Sequence, residues 1–119
     1  MPVVEATRDN FREAVASGLA LVDVWGPQCR ECLALMPDVE RIAEARGLTL
    51  VKLEAAKARR ICIEMRVMSM PSLLLFSDGN ELSRVGGQDL TPERIDAWLD
   101  ESLPAGARGD SPEASAATS

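Results

Sequence analysis

The sequence predicts an α/β fold, a central mixed β-sheet flanked by helices in the order β-α-β-α-β-α-β-β-α. Three observations predict it. Short apolar runs alternate with stretches whose apolar residues recur every three or four positions, the pattern of helices laid over both faces of a sheet. Leu19, Ala20, Leu21, Val22 and Val24 form a near-continuous apolar run, as a strand buried on both faces of a parallel sheet requires. Asp78-Gly79-Asn80 signals a tight turn between two strand-like segments, which adds an antiparallel hairpin.

Each element follows in order. Val3 and Val4 make a short first strand within Pro2–Ala6. Thr7 or Asp9 is the expected N-cap of a helix carrying Phe11, Ala14 and Val15, with Gly18 as its stop. The apolar strand from Leu19 ends at Trp25, and the chain breaks at Gly26-Pro27. Leu35 or Met36, Val39, and Ile42 or Ala43 then mark an amphipathic helix to Arg46-Gly47, with a kink expected at Pro37 because proline lacks an N–H. Leu48–Leu53 is the next strand. Ala58, Ile61, Cys62 and Met65 predict one helix over about Ala55–Arg66. Ser72–Ser77 and Glu81–Val85 form the hairpin strands, and Gly86-Gly87 breaks the chain again. Thr91 caps a last helix with Pro92 at its first position and Ile95, Trp98, Leu99 and Leu103 on one face. Residues 1–103 are thus expected to form one domain. Pro104–Ser119, rich in Pro, Ala, Gly, Ser and Thr without periodicity, is expected to be a disordered tail.

Bulk properties narrow the function. A chain of 119 residues suits one domain with a real core. Thirteen basic and 19 acidic residues leave a net charge of −6, which argues against nucleic acid or an anionic membrane as partner. Met1-Pro2-Val3-Val4-Glu5 holds no basic stretch leading into an apolar one, and no apolar run approaches a membrane span, so the cytoplasm is the expected compartment. The chain has no histidine, which removes Ser-His-Asp and Cys-His catalysis. Metal binding is not expected either: with three cysteines, a closed zinc site would need an acid as fourth ligand.

The cysteines carry the chemistry. Cys29-Arg30-Glu31-Cys32 falls on the first turn of the helix after the apolar strand. Exposed N–H groups and the positive dipole end of a helix stabilise an anion there, so a thiol loses its proton more easily. A thiolate is the nucleophile of thiol–disulfide exchange, and a second thiol three residues on can resolve the mixed disulfide. A dithiol–disulfide redox site is the expectation.

Across Pro2–Leu103 the pattern resembles the thioredoxin family. The resemblance rests on Val22-Asp23-Val24-Trp25, Cys29-x-x-Cys32 with Met36-Pro37, and Val51-Lys52-Leu53, continuing through Met70-Pro71-Ser72, Asp78-Gly79-Asn80 and Val85-Gly86-Gly87. It implies a thioredoxin fold and a disulfide reductase with no bound cofactor. Cys29 would attack and Cys32 resolve; Asp23 would move a proton to or from Cys32, with Lys52 as its charged neighbour. Pro71 would be cis, facing the cysteines and offering the Met70 backbone to an extended substrate. Trp25, Gly26, Pro27, Gln28 and Gly87 would join that substrate surface, with Pro37 the helix-kink proline. The implied partners are a flavin-dependent reductase of the thioredoxin-reductase type and disulfide-containing target proteins, met by a monomer.

The active-site loop departs from the usual family sequence. Gln28 stands where the family places Trp, and Arg30-Glu31 where it places Gly-Pro, while Gly26-Pro27 sits ahead of the pair. The run Trp25-Gly26-Pro27-x-Cys29-x-x-Cys32-x-Ala34-Leu35-Met36-Pro37 resembles atypical thioredoxins of anaerobic bacteria, some of which serve dedicated reductase partners. Arg30 favours and Glu31 disfavours a Cys29 thiolate. A dedicated electron donor, an oxidase or isomerase, and a noncatalytic binding module are the alternatives to a general reductase.

Several residues carry two readings. Asp23 is either a buried acid with a raised pKa, useful for proton transfer, or a strand-end acid reaching solvent. Pro71 alternatively is an ordinary strand-start proline. Cys62 is a buried core thiol or a regulatory one. Met65, Met68 and Met70 suit either core filling or an adaptable docking surface. Lys57, Arg59, Arg60 and Arg66 form a solvated helix face, or a basic patch that meets an acidic partner.

Overall fold

The computed structural model describes residues 3–104. Five strands, β1 (Val3–Ala6), β2 (Leu19–Trp25), β3 (Thr49–Glu54), β4 (Ser72–Ser77) and β5 (Asn80–Gly86), form one sheet in the order β1-β3-β2-β4-β5. β3 runs parallel to β1 and β2, and β4 antiparallel to both β2 and β5. The sheet is mixed, and β2 lies at its centre. The helices are α1 (Phe11–Ala14), α2 (Arg30–Ala45), α3 (Arg59–Glu64) and α4 (Pro92–Ser102).

Alternation along β2 explains the two layers. Ala20, Val22 and Val24 point to one side, where they pack with Phe11 of α1 and Ile61 and Cys62 of α3. Phe11 meets Phe76 edge to face at 5.8 Å, a contact worth about 1 kcal/mol beyond its buried area. Leu21 points to the other side with Leu35, Val39 and Ile42 of α2 and Ile95, Trp98 and Leu99 of α4. Trp98 stays buried because its indole N–H donates to Ser83 Oγ at 2.8 Å. By the same parity Asp23 and Lys52 belong to the α2 side, in register with one another on β2 and β3.

The last helix forms as its sequence dictates: Thr91 Oγ1 accepts the Arg94 N–H at 3.2 Å, and Pro92 opens the first turn. Two expectations need correction. Neither Thr7 nor Asp9 caps α1. Asn10 holds that position, and its side chain turns back to accept the Thr7 N–H at 2.6 Å, so the hydrogen bond of a cap is given to the preceding turn. The helix expected over Ala55–Arg66 is divided. A 3₁₀ turn at Ala55–Lys57 ends at Ala58, whose φ of −135° is not helical, and α3 starts only at Arg59. Buried Ala58 donates its N–H back to Ala55 and accepts from Cys62, closing one turn and opening the next. Pro37 lies inside α2, which runs unbroken through it. The tail expected at Pro104–Ser119 lies, beyond its first residue, outside the described residues.

Candidate active site

The site is assembled where β2 ends and α2 begins. Cys29 N–H donates to Gly26 O at 3.1 Å, closing a turn, and Leu33 N–H donates to Cys29 O at 3.1 Å, starting the helix. Cys29 is therefore the N-cap, with extended backbone. Its Sγ accepts the Cys32 N–H at 3.2 Å, the bond a Ser or Asp side chain would make at a cap. Sulfur sits where backbone donors have no helical acceptor, the place an anion is held best. Cys29 and Cys32 are joined as a disulfide, their Cα atoms 5.3 Å apart, within the span such a bond needs. Cys29 is half-buried and Cys32 is 1% exposed, so Cys29 is the more accessible sulfur of the pair.

Asp23 is the buried acid of this face, 2% exposed, between Lys52 of β3 and Leu73 of β4. Its Oδ2 has no hydrogen-bond partner. Burial pushes its pKa from 3.8 to about 7; Lys52 opposes the shift and Glu40 adds to it. The Lys52 ammonium is bound by the Glu40 carboxylate, which answers that cation before Asp23 can. Sequence reasoning did not single out Glu40. The signal was there, because Cys32, Met36 and Glu40 follow one another at the four-residue spacing of one helix face.

The opposite wall is the loop before β4. The Met70–Pro71 peptide is cis, and Pro71 is buried while Met70 is exposed. Gly87 donates its N–H to Pro71 O at 3.1 Å. A Cβ on Gly86 would stand 2.7 Å from that same oxygen, so the close approach of β5 to the loop requires glycine there. Across the groove, a Cβ on Gly26 would meet Met70 Cε at 3.3 Å. Gly26, Pro27, Gln28 and Cys29 face Met70, Ala55 and Ala56 around a largely apolar depression of about 360 Å³. Ala55 and Ala56 are members of this wall that sequence reasoning missed, because they were assigned to a continuous helix. Trp25 is half-buried at the end of β2 and, like Gly87, lies outside the depression's lining. Arg30 and Glu31 are both exposed on the first turn of α2.

Cys62 is free, buried among the side chains of the α1/α3 face, and burial raises its pKa. Among the described residues no group of three or more Cys, Asp or Glu side chains could hold a metal ion. No described helix is long and apolar enough to cross a membrane.

Residues 2–101 match the family model for thioredoxin. Over 99 residues the chain is 32% identical to thioredoxin of Acetoanaerobium sticklandii, covering 80% of this chain and 94% of that protein. Over 101 residues it is 36% identical to thioredoxin of Peptoclostridium acidaminophilum, covering 82% and 92%. Among solved structures, a mutant thioredoxin from Halobacterium salinarum NRC-1 superposes with a TM-score of 0.74 at 20% identity, covering 87% of this chain and 93% of that one. That likeness shows the fold, while the family model and the relatives carry the descent. The resemblance drawn from the CxxC, cis-proline and diglycine motifs therefore holds: the chain belongs to the thioredoxin family and is a thiol–disulfide oxidoreductase whose redox group is its own Cys29–Cys32 pair.

Proposed function

We propose that this oxidoreductase works mainly as a protein-disulfide reductase of the cytoplasm, with Cys29 as attacking thiol and Cys32 as resolving thiol. The observation that carries the assignment is the asymmetry of the pair: Cys29 half-buried at the N-cap, Cys32 buried beneath it. The Cys29 thiolate attacks one sulfur of a target disulfide; that S–S bond breaks and the other target sulfur leaves as a thiolate. The Cys32 thiol gives its proton to Asp23 and attacks Cys29 Sγ, forming Cys29–Cys32 and releasing the second target sulfur. Two electrons pass to the target, and Asp23 returns the proton to a leaving sulfur. A carboxyl with a pKa of about 7 is poised to take and give a proton at neutral pH.

An extended target segment would bind along the Met70 backbone and in the depression beside Cys29, against Gly26, Pro27 and Gln28, with Trp25 and Gly87 at its margins. A flavin-dependent reductase of the thioredoxin-reductase type would restore the dithiol. Arg30 and Glu31 act on Cys29 with opposite sign, and their exposure lets solvent screen both. Residues 1–103 constitute the working domain, acting as a monomer. The polar Gln28-Cys29-Arg30-Glu31 surface favours a narrower range of targets than a flat aromatic would give, hence a dedicated partner is the second reading. Trapping partners as mixed disulfides with Cys32→Ser tests both: one dominant partner supports dedication, many support a general reductase. Failure of the reduced protein to reduce any protein disulfide would contradict the proposal.

A further inference from the structure

Most cations of this acidic chain are answered by acids, and two of the exceptions, Arg59 and Arg60, line one groove. Among the described residues Arg30, Arg59, Arg60 and Arg66 are the basic side chains that make no ion pair and no hydrogen bond. Arg30 adjoins Cys29. Arg66 lines a depression with Met68 and Ser69, in the loop that leads to Pro71. Arg59 and Arg60 line a groove of about 560 Å³ together with Arg8, Lys57 and Ile63. That groove and the depression beside Cys29 share Ala56, so the two adjoin and a bound segment can cross from one to the other.

The groove is strongly one-signed. Its single acid, Glu64, is taken by Arg12 at 3.1 Å. Arg8 and Lys57 have only long ion pairs, at 3.8 and 3.7 Å, and both cations are themselves exposed, so their partners neutralise little. Ile63, 70% exposed, stands among these cations as an apolar foothold. The net charge of −6 does not cancel this local field, because salt screens charges beyond roughly 8–10 Å.

We propose that this basic groove is a substrate-docking surface and that its occupant is an acidic segment of a partner protein, lying beside the partner's disulfide. The inference rests on the reductase reading. Aspartate or glutamate side chains of the partner would lie over Arg59 and Arg60 while its disulfide reaches Cys29. Complementary charge of this kind raises the rate of encounter and suppresses partners of the wrong sign.

The test uses the full chain, reduced, and two synthetic peptides of equal length with one disulfide each. One peptide carries four acidic residues on one flank, and the other carries glutamines there. At low salt the acidic peptide is reduced about tenfold faster. The ratio falls toward one near 1 M salt, where the screening length is about 3 Å. The Arg59→Gln/Arg60→Gln double variant removes most of the ratio at low salt; Arg41→Gln, on α2 over the other face of the sheet, preserves it. Equal rates for the two peptides in the unmodified protein, or a ratio insensitive to salt or to the double variant, would overturn the docking surface. Reduction of neither peptide would instead overturn the reductase reading on which it stands.

Discussion

Cys32 and Cys62 are both buried cysteines on helices, yet they are built for opposite fates. Cys62 N–H donates to Ala58 O in the first turn opening α3, and its side chain is surrounded by the apolar α1/α3 face. Cys32 N–H donates instead to a sulfur, that of Cys29, and the face it belongs to holds Asp23, Lys52 and Glu40. Burial is therefore not what decides a thiol's chemistry. What differs is the surroundings: Cys32 has a partner sulfur at the helix start and ionisable groups on its face, whereas Cys62 has apolar neighbours.

The largest effects should come from breaking that contrast. Cys29→Ser is expected to reduce catalysed disulfide reduction to background, whereas Cys62→Ala keeps activity within about twofold, as a buried thiol outside the site should. A turbidity assay of protein-disulfide reduction in dithiothreitol reads both. Asp23→Asn comes next. Loss of a proton acceptor should slow resolution by about a hundredfold at pH 7, seen as accumulation of the mixed disulfide in rapid-quench experiments. The same variant changes stability with a definite sign. Asp23 has a folded pKa raised from 3.8 to about 7, so its contribution is fully present below pH 3.8 and is lost as pH rises through 7. Above pH 7 the unmodified protein should lose on the order of 4 kcal/mol relative to Asp23→Asn, the two curves converging in acid. Urea unfolding at several pH values measures this.

How far these features could be read in advance depended on their range. β2, the Cys29–Cys32 turn and the Thr91-Pro92 start of α4 are local signals, an apolar run, a spacing and a cap, and all were legible. Asp23 stood out as an acid in an apolar strand, either buried or reaching solvent at the strand end, and the fold buries it. Features set by distant partners were not legible. The division at Ala58 depends on how the chain leaves β3 and meets the core, and periodicity continues across it. Glu40 acquires its role only when α2 lies over β3 and brings it to Lys52. Gly86 looks like a chain break until β5 is placed against Pro71.

Two smaller effects sharpen the comparison. Glu40→Gln removes a negative charge near Asp23 and frees Lys52 to face it, and both changes lower the Asp23 pKa. The acid limb of the activity profile should then move to lower pH, with little change at the plateau. Cys62→Ala should cost about 1 kcal/mol by leaving a small cavity in the α1/α3 face, read as a lower urea midpoint with an unchanged slope.

The most direct measurement is a brief pulse of iodoacetamide on the reduced, folded protein at pH 7, followed by peptide mapping. Cys29 should carry nearly all of the label, Cys32 should follow slowly, and Cys62 should react only once the chain is unfolded. Labelling of Cys62 as fast as Cys29, or of Cys29 no faster than in the unfolded chain, would contradict the claim that the start of α2 makes these sulfurs reactive.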